Sequence, residues 1–108
     1  LIDKGHHKAS LEYIRGAIET SPENARAYDL LVTATQKLGE PEAGLKVLAD
    51  ARKKVKENAM LLAASALVKA RAGRKEEALA ESRQALEQSP NLDMARKALV
   101  LAEKIGAR

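Results

Sequence analysis

The 108-residue chain is 45% apolar and 31% charged, a composition typical of a folded protein and outside the range of disordered chains. Its formal net charge is +4, but Tyr13 and Tyr28 are the only aromatic residues. This argues against a single-strand nucleic-acid binder, because such proteins stack bases on aromatic rings. The absence of Cys excludes disulfides, thiol nucleophiles and Cys-ligated metals. The longest apolar run, residues 59–68, is too short to span a bilayer.

The hydrophobic spacing predicts a series of helices joined by short turns, and no strand. Residues 1–4 are predicted to be the end of one helix, which Gly5 terminates because glycine is favoured just beyond a helix end. The helices that follow are predicted at residues 6–20, 25–38, 41–54, 59–72, 76–88 and 92–105. Because every connection is short, consecutive helices are expected to be antiparallel neighbours.

Capping residues and apolar faces support these assignments. Asn24 and Asn58 are predicted N-caps, Pro41 is tolerated in a first helical turn, and Gly39 and Gly73 are predicted helix stops. Two apolar faces have a period near 3.6, and their members are Leu11, Ile14, Ala17 and Ile18 in the first helix and Ala27, Leu30, Leu31, Ala34 and Leu38 in the second.

Residues of the same kind recur at a fixed interval of 34 positions. The clearest series are Leu11, Leu45 and Leu79, then Ala17, Ala51 and Ala85, and then Gly5, Gly39 and Gly73. A period of this length is typical of stacked helical hairpins. Small residues also recur at Ser10, Gly44 and Ala78, where two helices are expected to approach closely.

The repeated segments resemble tetratricopeptide (TPR) repeats. The matching residues are Tyr28, Leu31, Val32, Gly44, Leu48 and Ala51 in the middle repeat, Leu62, Ser65, Ala66, Ala78, Ser82, Ala85 and Pro90 in the last full repeat, and Ser10, Ile14, Ala17 and Pro22 in the first. Lys56 and Ser82 depart from the family pattern, which predicts local looseness there.

The resemblance implies an all-α fold, a right-handed α-solenoid of antiparallel helix hairpins with about six helices. It divides residues 1–108 into the second helix of a truncated repeat (1–24), two full repeats (25–58 and 59–92) and a capping or first-type helix (93–108).

The resemblance also implies a non-enzymatic scaffold or adaptor that binds a protein or peptide in a concave groove. The implied groove residues are Arg26, Asp29, Thr33, Lys37, Met60, Ala63, Leu67, Arg71, Met94, Lys97, Leu101 and Lys104. A partner with an apolar strip and acidic residues would suit them. Alternatively, Met60 and Leu67 pack in the core, and this interpretation is the one we favour for any single apolar member of the set.

Two other functions remain open. The chain could be the TPR region of a bacterial secretion or polysaccharide-export assembly that docks or self-assembles at the membrane. The basic run at residues 52–56 could make a weak contact with an anion or a nucleic acid. We favour a structural role for this run, because cations stabilise a helix C-terminus. The cytoplasm and the bacterial periplasm are both compatible with the sequence.

Catalytic and metal-binding patterns are weak. His6 and His7 are adjacent, so on a helix they do not share a face and would chelate poorly. No Gly-rich phosphate loop occurs, since the glycines are isolated. We therefore expect no enzyme activity, cofactor, metal or small-molecule substrate.

The resemblance implies that the helix at residues 6–20 lacks most of its partner helix. Its Leu11 and Ile14 would then be partly exposed, and we expect the native protein to continue upstream of Leu1. In isolation, this edge is expected to associate with another copy of the chain.

Overall fold

A computed structural model describes residues 4–106 and contains, within this range, six α-helices and no strand. The helices are α1 (Lys4–Thr20), α2 (Ala25–Leu38), α3 (Pro41–Arg52), α4 (Ala59–Arg71), α5 (Lys75–Gln88) and α6 (Asp93–Lys104). The predicted all-α class is confirmed. The chain divides into two compact units, residues 1–56 with α1–α3 and residues 57–108 with α4–α6.

In the first unit, α1 packs against both α2 and α3, and α2 also packs against α3. The interior is aliphatic, and its most buried members are Leu11, Ile14 and Ile18 from α1, Leu31 and Leu38 from α2, and Leu48 and Ala51 from α3. Tyr28 is buried as well, and its hydroxyl donates a hydrogen bond to the carbonyl oxygen of Pro22 at 2.6 Å. A buried phenol therefore keeps a partner for its polar atom.

The face of α1 predicted to be partly bare is covered. Leu11 is 4% exposed and Ile14 is 5% exposed. The prediction was wrong because α1 has two neighbours in its own unit, and α2 and α3 together pack on it. The exposed part of α1 lies elsewhere, at Tyr13, which is 80% exposed.

Two further predictions in this unit were wrong. Gly5 does not end a helix, since α1 begins at Lys4 and continues through it, while residues 1–3 of the predicted helix tail lie outside the described range. Leu30 was assigned to the apolar face of α2 but is 46% exposed. On a helix, Leu30 points away from Leu31 by about 100°, and the side of α2 with Tyr28 and Leu31 is the side that is buried.

The predicted caps are confirmed. The Asn24 side chain accepts a hydrogen bond from the Arg26 amide at 3.1 Å, and the Asn58 side chain accepts one from the Leu61 amide at 3.0 Å. Both bonds satisfy amides that lack a partner within the helix. Gly39 lies at φ 75° after α2, a left-handed conformation that suits glycine at a helix end.

In the second unit, α4 packs against both α5 and α6. One buried cluster joins Leu62 and Ala63 of α4 to Ala85 of α5 and Ala95 of α6. A second cluster joins Ala70, Ala78 and Ala102 of the same three helices. The first cluster lies early in α4 and α6 but late in α5, whereas the second has the opposite order in each helix. Hence α4 and α6 run parallel, and α5 runs antiparallel between their ends.

Alanine dominates these contacts, so the helix backbones approach closely without large side chains between them. Residues 61–68 of α4 are all buried, including Ser65, which is 1% exposed. Ser82 of α5, where a large apolar residue was expected, is fully buried, and its hydroxyl donates to the Leu79 carbonyl oxygen at 3.1 Å. The small Ser82 side chain thus lies within the packed interior.

A polar network also joins α4 to α5. The Ser65 hydroxyl donates to one carboxylate oxygen of Glu81 at 2.6 Å, and the Lys69 ammonium donates to the other at 2.8 Å. Lys69 also lies 3.4 Å from the Glu77 carboxylate. Because the side chains of Lys69 and Glu81 are only 13% and 19% exposed, each offsets the cost of burying the other's charge.

Candidate partner-binding surface

The predicted groove residues of α2 form an exposed stripe on the first unit. Arg26, Asp29, Thr33 and Lys37 are all exposed, and their spacings of three or four residues place them on one side of the helix. The stripe contains two cations and one carboxylate, and none of its members is apolar. It can therefore hydrogen-bond to a partner but offers little apolar area to bury.

The predicted groove residues of α4 divide into buried and accessible members. Ala63 and Leu67 are 0% and 2% exposed, so they belong to the core, as the structural interpretation of this apolar helix expected. Met60, near the start of the helix, is half-buried, and Arg71, in its last turn, is exposed. Only these two ends of α4 remain accessible to a partner.

The predicted groove residues of α6 alternate between apolar and cationic side chains. Met94 and Leu101 are half-buried, whereas Lys97 and Lys104 are exposed. Positions 94, 97, 101 and 104 fall on one side of the helix, because they are three or four residues apart. This alternating face of α6 combines accessible apolar atoms with positive charge.

Packing anchors the apolar residues of this face. Met94 packs against the cluster of Leu62 and Ala63, and Leu101 packs against the cluster of Ala70 and Ala102. Each side chain therefore has one side in the interior and one side accessible. A partner would meet a surface held in place by the core, which lowers the entropy cost of binding.

The cations near this face lack internal partners. Among residues 4–106, no carboxylate pairs with Arg71, Lys97 or Lys104, in contrast to the paired Lys69. Their charges are therefore available to an acidic partner. We use the term α6 surface for Met94, Lys97, Leu101 and Lys104 together.

The basic run at residues 52–56 is arranged differently. Lys53 lies 3.8 Å from the Asp50 carboxylate, and Lys54 lies 3.8 Å from that of Glu19. Arg52 is in the last turn of α3, where a cation offsets the partial negative charge of the terminal carbonyls. These contacts favour the structural role of the run over an anion site.

A second group of charges lies along α1. The Arg15 guanidinium donates to Glu12 at 2.7 Å and to Glu19 at 3.2 Å. The hydrogen bond to Glu12, followed by the contacts with Glu19, raises the pKa of the Arg15 guanidinium above its ordinary value. Arginine is charged at any physiological pH, so these contacts organise the surface of α1 without creating a titrating group.

Metal binding gains no support from the described residues. His6 is exposed, the His7 side chain lies outside the described part of the structure, and residues 4–106 contain no cluster of three or more His, Cys, Asp or Glu side chains. Over the same range, no helix combines the length and the apolar content that crossing a membrane requires.

A feature that the sequence analysis did not single out is a groove between α1 and α2. It has a volume of about 360 Å³ and is lined by His6, Ala9, Ser10, Tyr13, Ile14 and Leu30. Two of these residues, Tyr13 and Leu30, are large apolar side chains that are 80% and 46% exposed. The interval of 34 contains a signal for Tyr13, because the next residue in its series is the buried Val47.

Comparison with protein-family models, with curated proteins and with solved structures finds no match for this chain.

Proposed function

We propose that this chain belongs to the TPR class of α-solenoids and serves as a scaffold or adaptor that binds a segment of a partner protein. The helix boundaries support this proposal. α2, α4 and α6 begin at Ala25, Ala59 and Asp93, and α3 and α5 begin at Pro41 and Lys75, so equivalent helices start 34 residues apart. The small residues Gly44, Ala78 and Ala85 at the expected helix contacts are buried, which agrees with the packing of such repeats.

The observation that carries the binding proposal is the α6 surface. Two half-buried apolar side chains alternate there with two exposed lysines that have no internal partner among residues 4–106. A helix or extended segment with an apolar strip beside acidic residues would bury the apolar atoms and pair with the lysines. Met94 is adaptable in shape, which suits a surface that receives side chains. Arg71 adds a cation on the neighbouring helix of the same unit.

A peptide-display selection tests this proposal. A random library is selected against the wild-type chain, and the enriched peptides are expected to contain acidic residues next to an apolar strip. Binding of these peptides to Lys97→Glu and Lys104→Glu is then measured by fluorescence anisotropy. We expect each reversal to weaken binding by about tenfold, which corresponds to about 1.4 kcal/mol.

Arg83→Glu is the matched control, because Arg83 is an exposed cation on α5 and the change in net charge is the same. Peptides should bind this variant as they bind the wild type. If the enriched peptides lack acidic residues, or if the control weakens binding as much as the α6 variants, the α6 surface is not the binding site.

A further inference from the structure

The contacts between α2 and α3 and between α4 and α5 are two copies of one arrangement. In the first, Thr35 of α2 faces Gly44 of α3. In the second, Ser65 of α4 bonds to Glu81 of α5 at 2.6 Å. Because equivalent helices begin 34 residues apart, each contact can be transferred along the chain by that interval. The transfer identifies which face of every helix is built for such a neighbour.

On α1, the transferred face is accessible. Ser10 is equivalent to Gly44, and Tyr13 is equivalent to Val47 and Glu81. Gly44 and Val47 are buried in the first unit, whereas Ser10 is half-buried and Tyr13 is 80% exposed. The face therefore has the positions of a helix contact without a helix on it from residues 4–106.

On α6, the corresponding face is accessible too. Leu99 is equivalent to Leu31 and Ser65, and Glu103 is equivalent to Thr35 and Lys69. Leu99 is half-buried and Glu103 is exposed. Val100, which follows Leu99, is 48% exposed, although its equivalents Val32 and Ala66 are buried.

The exposed large apolar side chains are confined to these places. Among residues 4–106 they are Tyr13, Leu30 and Val100. Tyr13 and Leu30 line the groove of about 360 Å³ beside α1, and Val100 lies on α6. The groove and the α6 face are thus the two parts of the surface from which burial would remove the most apolar area.

We propose that the face of α6 in one copy of the chain docks on the face of α1 in a second copy, in a head-to-tail contact that repeats the α2–α3 and α4–α5 arrangement. The transferred pairs are chemically compatible. Leu99 meets the ring of Tyr13 in place of the Ser65–Glu81 pair. The Glu103 carboxylate meets the Ser10 hydroxyl, which can donate a hydrogen bond to it, in place of the Thr35–Gly44 pair.

This contact is heterologous, because the two copies contribute different surfaces. It is independent of the proposed partner binding, since it uses Tyr13 and Val100 and leaves Lys97 and Lys104 out. Each copy in such a contact retains one unused face, so association continues beyond the dimer until a copy with a blocked face joins. That property gives the test its discrimination.

The experiment compares Tyr13→Arg, which blocks the α1 face, with Val100→Arg, which blocks the α6 face. Both residues are exposed, so the folded structure should be kept, and circular dichroism checks the helix content. Light scattering is recorded over a range of concentrations. The wild type should increase in mass with concentration above its 11.7 kDa monomer, and each variant alone should remain a monomer.

An equimolar mixture of the two variants is the decisive sample. Each variant supplies the face that the other lacks, so a 1:1 dimer should form and go no further. Ala80→Arg, a change at an exposed position of α5, should associate as the wild type does. A wild type that stays monomeric at every concentration overturns the proposal. So does self-association of Val100→Arg alone, which would indicate that α1 pairs with α1 or with another surface.

Discussion

Thr35 of α2 and Gly44 of α3 meet so closely that no side chain fits at position 44. A Cβ atom built on Gly44 would lie 2.8 Å from Thr35 Cγ2 and closer still to Thr35 Oγ1. Thr35 has little freedom to move, since it is 4% exposed and its hydroxyl donates to the Leu31 carbonyl oxygen at 2.7 Å. The glycine therefore sets the distance between the two helices.

We expect Gly44→Ala to lower the free energy of unfolding by about 1–2 kcal/mol, because the steric cost exceeds the gain in helix propensity. Tyrosine fluorescence in a urea titration measures the effect, and it reports on the first unit because Tyr13 and Tyr28 both lie in residues 1–56. The added change Thr35→Ala removes both colliding atoms and should recover part of the loss.

Gly16→Ala is the matched control. Gly16 lies inside α1, and a Cβ there would meet no atom within 4 Å. The same substitution should raise the free energy of unfolding by about 0.5–1 kcal/mol, because alanine is the better helix former. A loss of stability at both positions would contradict the steric explanation.

Glu81 is expected to be the most sensitive carboxylate in the second unit. Glu81→Ala removes the acceptor of the Ser65 hydroxyl and leaves the largely buried Lys69 with Glu77 alone. The expected loss is about 1–3 kcal/mol, the cost of unsatisfied buried polar groups. Hydrogen exchange of α4 and α5 amides measures it within the unit.

Glu87→Ala on the same helix serves for comparison, because Glu87 is exposed. Its effect should stay within about 0.5 kcal/mol. A double-mutant cycle between Glu81→Ala and Ser65→Ala should show a coupling energy that differs from zero. Additive effects in this cycle would mean that the Ser65–Glu81 hydrogen bond contributes little.

The N-cap of α4 gives a third prediction. Asn58→Ala removes the acceptor of the Leu61 amide and should cost about 1 kcal/mol, whereas Asn58→Asp retains an acceptor oxygen and should cost less. Thermal unfolding followed by circular dichroism measures both. Equal losses in the two variants would show that the cap hydrogen bond is not the cause.

The hydroxyl of Tyr28 gives a fourth prediction. Tyr28→Phe keeps the buried ring but leaves the Pro22 carbonyl oxygen without this donor. The expected loss is about 1 kcal/mol, the usual net contribution of one hydrogen bond. Tyr28→Ala should cost about 3–5 kcal/mol, because the ring then leaves a cavity. Urea titration of both variants, followed by circular dichroism, separates the contribution of the hydroxyl from that of the ring.

Local patterns predicted the helices well. Asn24, Gly39, Asn58 and Gly73 each act on the backbone of their nearest neighbours, so their effect can be inferred from the sequence without knowledge of the fold. Gly5 is the exception. Glycine is tolerated inside a helix at a modest cost, so its identity alone did not distinguish the interior of α1 from a helix end.

Residue burial and the candidate surface were predicted less completely. The sequence placed Lys97 and Lys104 on an accessible face of α6, which the structure agrees with, but it could not separate the buried Leu67 from the accessible Leu101. Both are leucines at equivalent positions of equivalent helices. Leu67 is on the middle helix of its unit and Leu101 is not, and only the arrangement of neighbours distinguishes them.

The sequence by itself determined the six helices, their ends and the interval of 34 residues between equivalent helices, because each depends on contacts within a few residues or on a repeated pattern. Only the tertiary structure decided that Leu11 and Ile14 are covered, that Leu30 and Tyr13 are exposed, and that Ser65 finds its partner at Glu81. Burial depends on which helix packs against each face. That choice joins residues far apart in the chain, and local spacing carries no record of it.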